Sequence, residues 1–179
     1  VERHQSMIAA AREALKLDTI TPHYQPKITL DSGLVNGFEA LLRWRDGNGA
    51  LCGPDTLGDA FEDPRLGHLL GQRMLEKVLD DVGAWIAGGV AFGHVAINVA
   101  AVDFRGGGFA ETLIEQLQAR GVPPSCIQIE ITETAFLGRG CENVGEALHL
   151  LSEHGIRIAL DDFGTGYASL SYLNQYPVD

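Results

Sequence analysis

The sequence is poor in cysteine and contains no long apolar run. Its three cysteines, Cys52, Cys126 and Cys141, are an odd number at wide spacings, so neither a disulfide framework nor a CxxC zinc site can be built from them. No apolar run approaches the roughly 18 residues that a membrane helix needs, and no signal-peptide pattern opens the chain. These absences predict a reducing, cytoplasmic compartment.

Basic residues are also scarce, because 13 Lys and Arg stand against 24 Asp and Glu, for a formal net charge of −11. Sequence-independent binding to a nucleic-acid polymer needs clustered Lys and Arg, so the composition argues against it. If so acidic a chain binds phosphate, a metal ion is expected to supply positive charge. The length of 179 residues and the apolar content of 45% predict one globular domain and exclude a disordered chain.

Apolar runs alternate with amphipathic stretches, which predicts an α/β fold. Nearly continuous apolar strands separated by helices are typical of a parallel sheet buried on both faces. The predicted elements are an N-terminal helix over 1–17 with the stripe Met7, Ile8, Ala11, Leu15 and Leu17, a hairpin over 23–30 and 34–44, a helix over 65–86, strands at 94–99, 126–131 and 156–160, and helices at 110–120, 142–154 and 167–173.

Polar residues interrupt these strands. Functional groups of α/β barrels and open sheets gather where the strands end, so we expect the interruptions to converge. Carboxylates held close together repel unless a cation compensates them, and all-oxygen donors favour Mg²⁺ or Mn²⁺ over zinc. The polar positions are Glu39, Asn98, Glu130 with Glu133 three residues on, and the pair Asp161 and Asp162.

Each of these positions also has a purely structural interpretation. A single Glu in a strand is often an edge or surface residue, and Asp161 with Asp162 could be a helix N-cap and its neighbour. Glu130 and Glu133 have the spacing of a capping pattern. The repetition of polar residues at successive strand ends favours the metal site.

Five motifs in order closely resemble those of EAL domains, the bacterial phosphodiesterases that open the second messenger cyclic di-GMP into linear pGpG. The resemblance covers about Tyr24 to Asp179 and depends on the ordered set, since any one motif alone is unspecific. The motifs are Tyr24-Gln25-Pro26, Glu39-Ala40-Leu41-Leu42-Arg43-Trp44, Ile97-Asn98-Val99, Glu130-Ile131-Thr132-Glu133 and Asp161-Asp162-Phe163-Gly164-Thr165-Gly166-Tyr167-Ala168-Ser169-Leu170.

The resemblance implies a modified TIM (β/α)8 barrel in which one strand is antiparallel, and it assigns roles to single residues. It implies metal ligands for two Mg²⁺ or Mn²⁺ ions, and it places Glu133 as a residue that steadies the loop after the aspartate pair. The implied metal ligands are Glu39, Asn98, Glu130, Asp161 and Asp162; the implied catalytic residues are Glu39, Asp161, Asp162 and Glu133; and the implied contacts to the dinucleotide are Gln25, Leu41 and Arg43, with Arg43 at a phosphate. A salt bridge to a neighbouring carboxylate is the alternative for Arg43.

Family members continue beyond Asp179 with a catalytic lysine, a glutamate ligand and a glutamine. We therefore expect an EAL domain over 21–179 that is truncated after about the fifth or sixth β/α unit, with 1–20 as a connecting helix. A shortened protein, an incomplete sequence or a fragment completed by another chain are the alternatives. The resemblance also implies a homodimer through the loop 163–170 and an upstream GGDEF, PAS or membrane sensor domain, which would make the chain the cytoplasmic part of an anchored protein.

Three functions compete at this point. The first is a cyclic di-GMP phosphodiesterase whose parent protein is active while the 179-residue segment alone is inactive. The second is a degenerate EAL domain that binds the dinucleotide without cutting it, and the third is a protein-interaction scaffold. Degenerate receptors usually lose the EAL glutamate or the aspartate pair, and Glu39, Asp161 and Asp162 are all present here, which favours the enzyme.

Overall fold

The computed structural model describes residues 2–136, 141–161 and 176–179, and it has the predicted α/β class. The predicted helix at 167–173 lies outside these residues. The described helices are α1 (Glu2–Lys16), α2 (Gly58–Glu62), α3 (Pro64–Ala87), α4 (Ala101–Phe104), α5 (Phe109–Arg120) and α6 (Cys141–Glu153). The described strands are β1 (Ile20–Ile28), β2 (Val35–Arg45), β3 (Leu51–Cys52), β4 (His94–Asn98), β5 (Ile127–Thr132) and β6 (Arg157–Asp161).

The strands form one sheet in the order β1-β2-β4-β5-β6, with β3 paired to β2. The pair β1–β2 is antiparallel, whereas β2, β4, β5 and β6 run parallel to one another. The predicted hairpin is therefore confirmed, but β1 ends at Ile28 instead of residue 30, and β2 begins at Val35 instead of residue 34. The amide of Thr29 donates to the carbonyl of Leu34, and Gly33 donates to Thr29, so Leu30 belongs to the turn.

One face of the sheet is apolar and packs against the helices. Its core includes Phe104, Leu113 and Leu148 from the helical layer. The burial of this face follows from the period-two alternation of side chains along each strand. The strand residues buried on this face are Ala40, Val95, Ile97, Ile127, Ile129, Ile131 and Ile158.

The opposite face of the sheet carries polar side chains, and the predicted burial on both faces holds for His94, Ala96 and Glu130, which are 6%, 0% and 8% exposed. The register places Lys27, Gly37 and His94 at one level of this face and Asn98 beside Glu130 at another. A polar second face is what the interior of a barrel with a binding site requires.

The longest helix, α3, begins where the sequence predicts. Pro64 lies in its first turn, and the carboxylate of Asp63 accepts hydrogen bonds from the amides of Arg65 and Leu66 at 3.0 and 2.9 Å. Its buried stripe includes Leu70 and Leu79, whereas Leu69, whose spacing in the sequence also predicts a place in the stripe, is 39% exposed. In the described part of the chain, no helix combines the length and apolar character of a membrane span.

Helix α1 is the predicted N-terminal helix, and three residues of its predicted stripe, Ile8, Ala11 and Leu15, pack in one core cluster, whereas Leu17 does not. Ala11 and Ala14 are buried against a second core cluster that contains Trp44, and Leu17 is 57% exposed. The helix ends at Lys16 and the backbone of Asp18 has a φ of 52°. This left-handed residue turns the chain into β1, so Leu17 leaves the helical stripe.

Candidate metal and substrate site

The predicted site residues that are described on strands lie on the polar face of five of them, β1, β2, β4, β5 and β6. Glu39, Leu41 and Arg43 alternate along β2 and therefore point to the same side of the sheet. Gln25 on β1 is the register partner of Glu39, and Asn98 at the end of β4 is the partner of Glu130 on β5. The sheet thus presents residues from distant parts of the chain on one surface.

Asn98 and Glu39 are in direct contact. The Nδ2 of Asn98 donates a hydrogen bond to Oε1 of Glu39 at 2.8 Å, which joins β4 to β2 on the polar face. Glu39 is not at the end of its strand, since β2 continues to Arg45 as it pairs with β1 and β3. Glu39 and Asn98 are not register partners, since Glu39 pairs with Ala96, so they meet because their side chains extend toward each other across the polar face.

Glu130 is one of the two buried polar or charged residues among those described, with 8% of its surface exposed. Its Oε1 accepts a hydrogen bond from the Nζ of Lys27 on β1 at 2.5 Å, and the same ammonium donates to Oε1 of Gln128 at 3.0 Å. Glu130 lies within β5, so the alternative of a helix cap does not apply to it. A buried carboxylate needs such a countercharge, because an unpaired charge is costly away from water.

The aspartate pair is described only in part. Asp161 is the last residue of β6, is exposed, and has Thr132 of β5 as its register partner. Asp162 and the loop 163–170 lie outside the described residues. Glu133 begins a short 3₁₀ helix that runs to Phe136, and its side chain also lies outside the description.

The predicted substrate contacts line the same surface. Arg43 is partly buried, and its Nη1 donates to the carbonyl of Leu42 at 2.8 Å. The ion pairs between described residues do not include Arg43, so the predicted alternative of a salt bridge is not seen there. Gln25 is exposed and Leu41 is partly buried, which leaves both accessible from the polar face.

A second polar contact lies nearer the amino ends of the parallel strands. His94 is buried at 6% exposure, and its Nδ1 lies 3.3 Å from Nη1 of Arg157. Burial lowers the pKa of His94, the charges of Arg157 and Lys27 lower it further, and hydrogen bonds with Asn36 and Gln128 oppose the change. The imidazole is therefore neutral at physiological pH.

The oxygen donors among the described site residues are of the chemical type that a hard divalent cation prefers. A carboxylate from Glu39, the amide of Asn98 and a carboxylate from Glu130 come from three neighbouring strands of one face, and oxygen donors of this type suit Mg²⁺ and Mn²⁺. Among residues 2–136, 141–161 and 176–179, however, no group of three His, Cys, Asp or Glu side chains is placed to hold a metal ion. In the same residues Glu130 is engaged by Lys27.

Two contacts near the site were not predicted from the sequence. One is Lys27 with Glu130; the signal was a rare lysine two residues after Gln25, and therefore on the same face of β1. The other is Tyr24, which donates to Oδ2 of Asp81 on α3 at 2.6 Å and packs edge-on against Trp85. Tyr24 is in a predicted motif, but its helical partner could not be identified by spacing.

Comparisons with known proteins agree with this architecture. The EAL-domain family matches residues 8–179. The bifunctional diguanylate cyclase/cyclic di-GMP phosphodiesterase MucR of Pseudomonas aeruginosa is 33% identical over 166 residues, which are 93% of this chain and 24% of MucR. The cyclic di-GMP phosphodiesterase NbdA of the same organism is 32% identical over 171 residues, 94% of this chain and 21% of NbdA. The chain thus spans about a quarter or less of these relatives.

Solved structures show the same fold. The complex of PaMucR phosphodiesterase with c-di-GMP superposes with a TM-score of 0.86 at 32% identity, covering 97% of this chain and 70% of that one. The FimX EAL domain of Xanthomonas citri, in complex with c-diGMP, gives a TM-score of 0.81 at 23% identity, covering 98% of this chain and 67% of that one. The second likeness concerns the fold alone. The predicted barrel-type α/β fold is confirmed, and the chain belongs to the EAL-domain family.

Proposed function

We propose that the protein is a metal-dependent phosphodiesterase that hydrolyses cyclic di-GMP to linear pGpG in bacterial second-messenger signalling. The similarity to MucR and NbdA, whose names give this substrate, supports the proposal. The observation that carries it is the contact of Asn98 with Glu39, beside Glu130, on a fold shared with a c-di-GMP complex.

In this proposal Glu39, Asn98, Glu130, Asp161 and Asp162 hold two Mg²⁺ or Mn²⁺ ions. When bound, such ions lower the pKa of a water molecule and neutralise charge on the phosphoryl oxygens. Glu133 steadies the loop that follows the aspartate pair. Glu39, Asn98, Glu130 and Asp161 lie on strands of one sheet, so their backbones are held in place before the substrate arrives.

The substrate is held by groups of β1 and β2. Arg43 carries a guanidinium group that suits a phosphate, Leu41 lies two residues before it on the same face of β2, and Gln25 lies opposite Glu39 on β1. In the reaction a water oxygen forms a bond to phosphorus and the bond from phosphorus to the 3′ oxygen breaks. The water proton ends on the released 3′ hydroxyl, and the 5′ phosphate stays on the linear product.

The direct test is product analysis on the gene product that carries this chain. We expect cyclic di-GMP to be converted to pGpG with Mn²⁺ or Mg²⁺, and the conversion to stop with EDTA or in Glu39→Gln. The matched control is Glu76→Gln, which removes the same charge from the surface of α3. Binding without turnover would support the receptor, and absence of binding would support the scaffold.

The 179-residue chain is assayed in parallel. We expect it to give no turnover by itself, because the resemblance places further catalytic residues after Asp179. Hydrolysis by the isolated chain would contradict this expectation and leave the proposed reaction standing.

Partners and location complete the proposal. We propose a homodimer through the loop 163–170, with residues 1–20 connecting the EAL domain to an upstream GGDEF, PAS or sensor domain, and no nucleic-acid polymer as ligand. A cytoplasmic location is supported by Cys52 and Cys126, which are both free thiols. Light scattering of the wild-type chain checks the dimer, since a monomer at micromolar concentration would contradict it.

A further inference from the structure

We propose that Lys27 is an internal counter-ion that competes with the divalent cation for Glu130. The inference rests on the metal requirement of the proposed function, but it concerns a residue for which neither the motifs nor the comparisons provide a role. It assigns Lys27 as a positioning residue that keeps the carboxylate of Glu130 neutralised until a cation replaces it.

The contact spans the polar face of the sheet. β1 and β5 are separated by β2 and β4, so in a flat sheet three strand spacings, about 14 Å in all, would lie between their backbones. Lys27 nevertheless reaches Glu130 at 2.5 Å. The sheet must therefore curl toward its polar face, as in a barrel wall.

Two positions between Lys27 and β5 on the polar face carry small residues. Gly37 is the register partner of Lys27 on β2, and Ala96 occupies the polar face of β4 opposite Glu39. A Cβ on Gly37 would lie only 2.6 Å from the ring of His94, so no larger side chain fits there. The imidazole of His94 therefore occupies the space beside Gly37, and Ala96 is a small residue on the strand between Lys27 and β5.

Charge and burial make the pair a competitor for the cation. The side chains of Lys27 and Glu130 are 34% and 10% exposed, so solvent screens their attraction only in part. Gln128 accepts a second hydrogen bond from the same ammonium and holds it on β5. A cation bound at Glu130 would meet the positive charge of Lys27 and would have to share the carboxylate or displace the ammonium.

The hypothesis that the Lys27–Glu130 ion pair only stabilises the fold predicts a different result. If Lys27 only supports the fold, its loss leaves Glu130 buried without a partner, which lowers stability and leaves cation affinity unchanged or weaker. If Lys27 is a competitor, its loss lowers stability without metal and strengthens cation binding. The sign of the change in affinity separates the two roles.

The experiment uses Lys27→Gln, with Lys27→Arg as the charge-retaining variant and Lys77→Gln as the matched control. Lys77 pairs with the exposed Asp18 on another surface. Free Mn²⁺ is followed by electron paramagnetic resonance during titration of the gene product that carries this chain, and its melting is recorded in EDTA and in Mn²⁺. We expect Lys27→Gln to bind Mn²⁺ about tenfold more tightly, because the positive charge of Lys27 no longer repels the divalent cation at Glu130.

Lys27→Gln should also melt at a lower temperature in EDTA and gain more from Mn²⁺ than the wild type. Lys27→Arg should bind no more tightly than the wild type, and Lys77→Gln should match it. Unchanged or weaker Mn²⁺ binding by Lys27→Gln, or no binding by any variant, would overturn the inference. Tighter Mn²⁺ binding without hydrolysis of cyclic di-GMP would leave it standing and refute the proposed function.

Gln128→Leu guards against a Lys27→Gln chain that does not fold. This variant keeps both charges and removes one of the two acceptors that hold the ammonium. We expect it to bind Mn²⁺ about two- to threefold more tightly, since the lysine can leave Glu130 more easily. Affinity equal to or lower than that of the wild type would overturn the inference by itself.

Discussion

The amide of Asn98 donates to Oε1 of Glu39 at 2.8 Å, although 59 residues separate them in sequence. The contact orients the Asn98 side chain, since Nδ2 is engaged with Glu39 and Oδ1 is the oxygen that the amide can offer to a cation. It also links β4 to β2 above their backbone ladder. The same two residues are thus held together before any ligand is bound.

Glu39→Gln should weaken Mn²⁺ binding at least tenfold while the fold stays intact. Glutamine has the same shape and its Oε1 can still accept from Asn98, but the negative charge that attracts the cation is gone. Titration calorimetry with Mn²⁺ measures the affinity, and urea unfolding measures the fold. Unchanged affinity would remove Glu39 from the metal site.

Tyr24→Phe should lower the free energy of unfolding by about 1–3 kcal/mol, because Asp81 loses its partly buried partner. Burial and the hydrogen bond to Asp81 raise the pKa of Tyr24 far above its ordinary value, so the phenol is the donor at every physiological pH. Urea unfolding of both single variants and of Tyr24→Phe/Asp81→Asn gives the coupling energy. A coupling near zero would show that the packing of Tyr24 on Trp85, and not the hydrogen bond, anchors β1 to α3.

His94 should make the protein less stable as the pH falls from 7 to 5. Its pKa is lowered in the folded state by burial and by Arg157 and Lys27, so the unfolded chain binds the proton more tightly. The stability it contributes is present above about pH 6.5, the ordinary pKa of His, and is lost below it. His94→Gln should flatten this part of the pH profile in urea unfolding. An equally steep loss in the variant would assign the effect to other groups.

Gly93→Ala should destabilise the protein by more than Gly89→Ala does. Both glycines have positive φ values, 74° and 69°, so both substitutions strain the backbone, at a cost of about 1 kcal/mol. A Cβ at Gly93 would in addition overlap the carbonyl of Asn36 at the entry to β2, whereas Gly89 faces open space. Melting temperatures of the two variants isolate the cost of the overlap, and equal temperatures would contradict it.

The sequence predicted the elements well and the contacts poorly, for physical reasons. Local sequence sets the positions of α3, β4 and α5, because the two helices each bury an apolar stripe and β4 is a short buried run. Sequence periodicity does not predict that Lys27 pairs with Glu130 or that Tyr24 donates to Asp81. Both contacts depend on tertiary structure, the first on the curvature of the sheet and the second on the packing of α3 against β1. The motif resemblance supplied the site residues, and it contained no hint of Lys27.

The hairpin register has a practical consequence for engineering. Lys27 faces Gly37, but the next residue, Ile28, faces Val35, so the ladder skips Asn36 through a bulge. The register shift of the hairpin therefore lies between Ile28 and Lys27, and the pairing of Lys27 with Gly37 is regular. Leu30 and Leu34 at the tip are 97% and 68% exposed. A peptide tag inserted between them should be tolerated without a shift that would turn Lys27 away from Glu130.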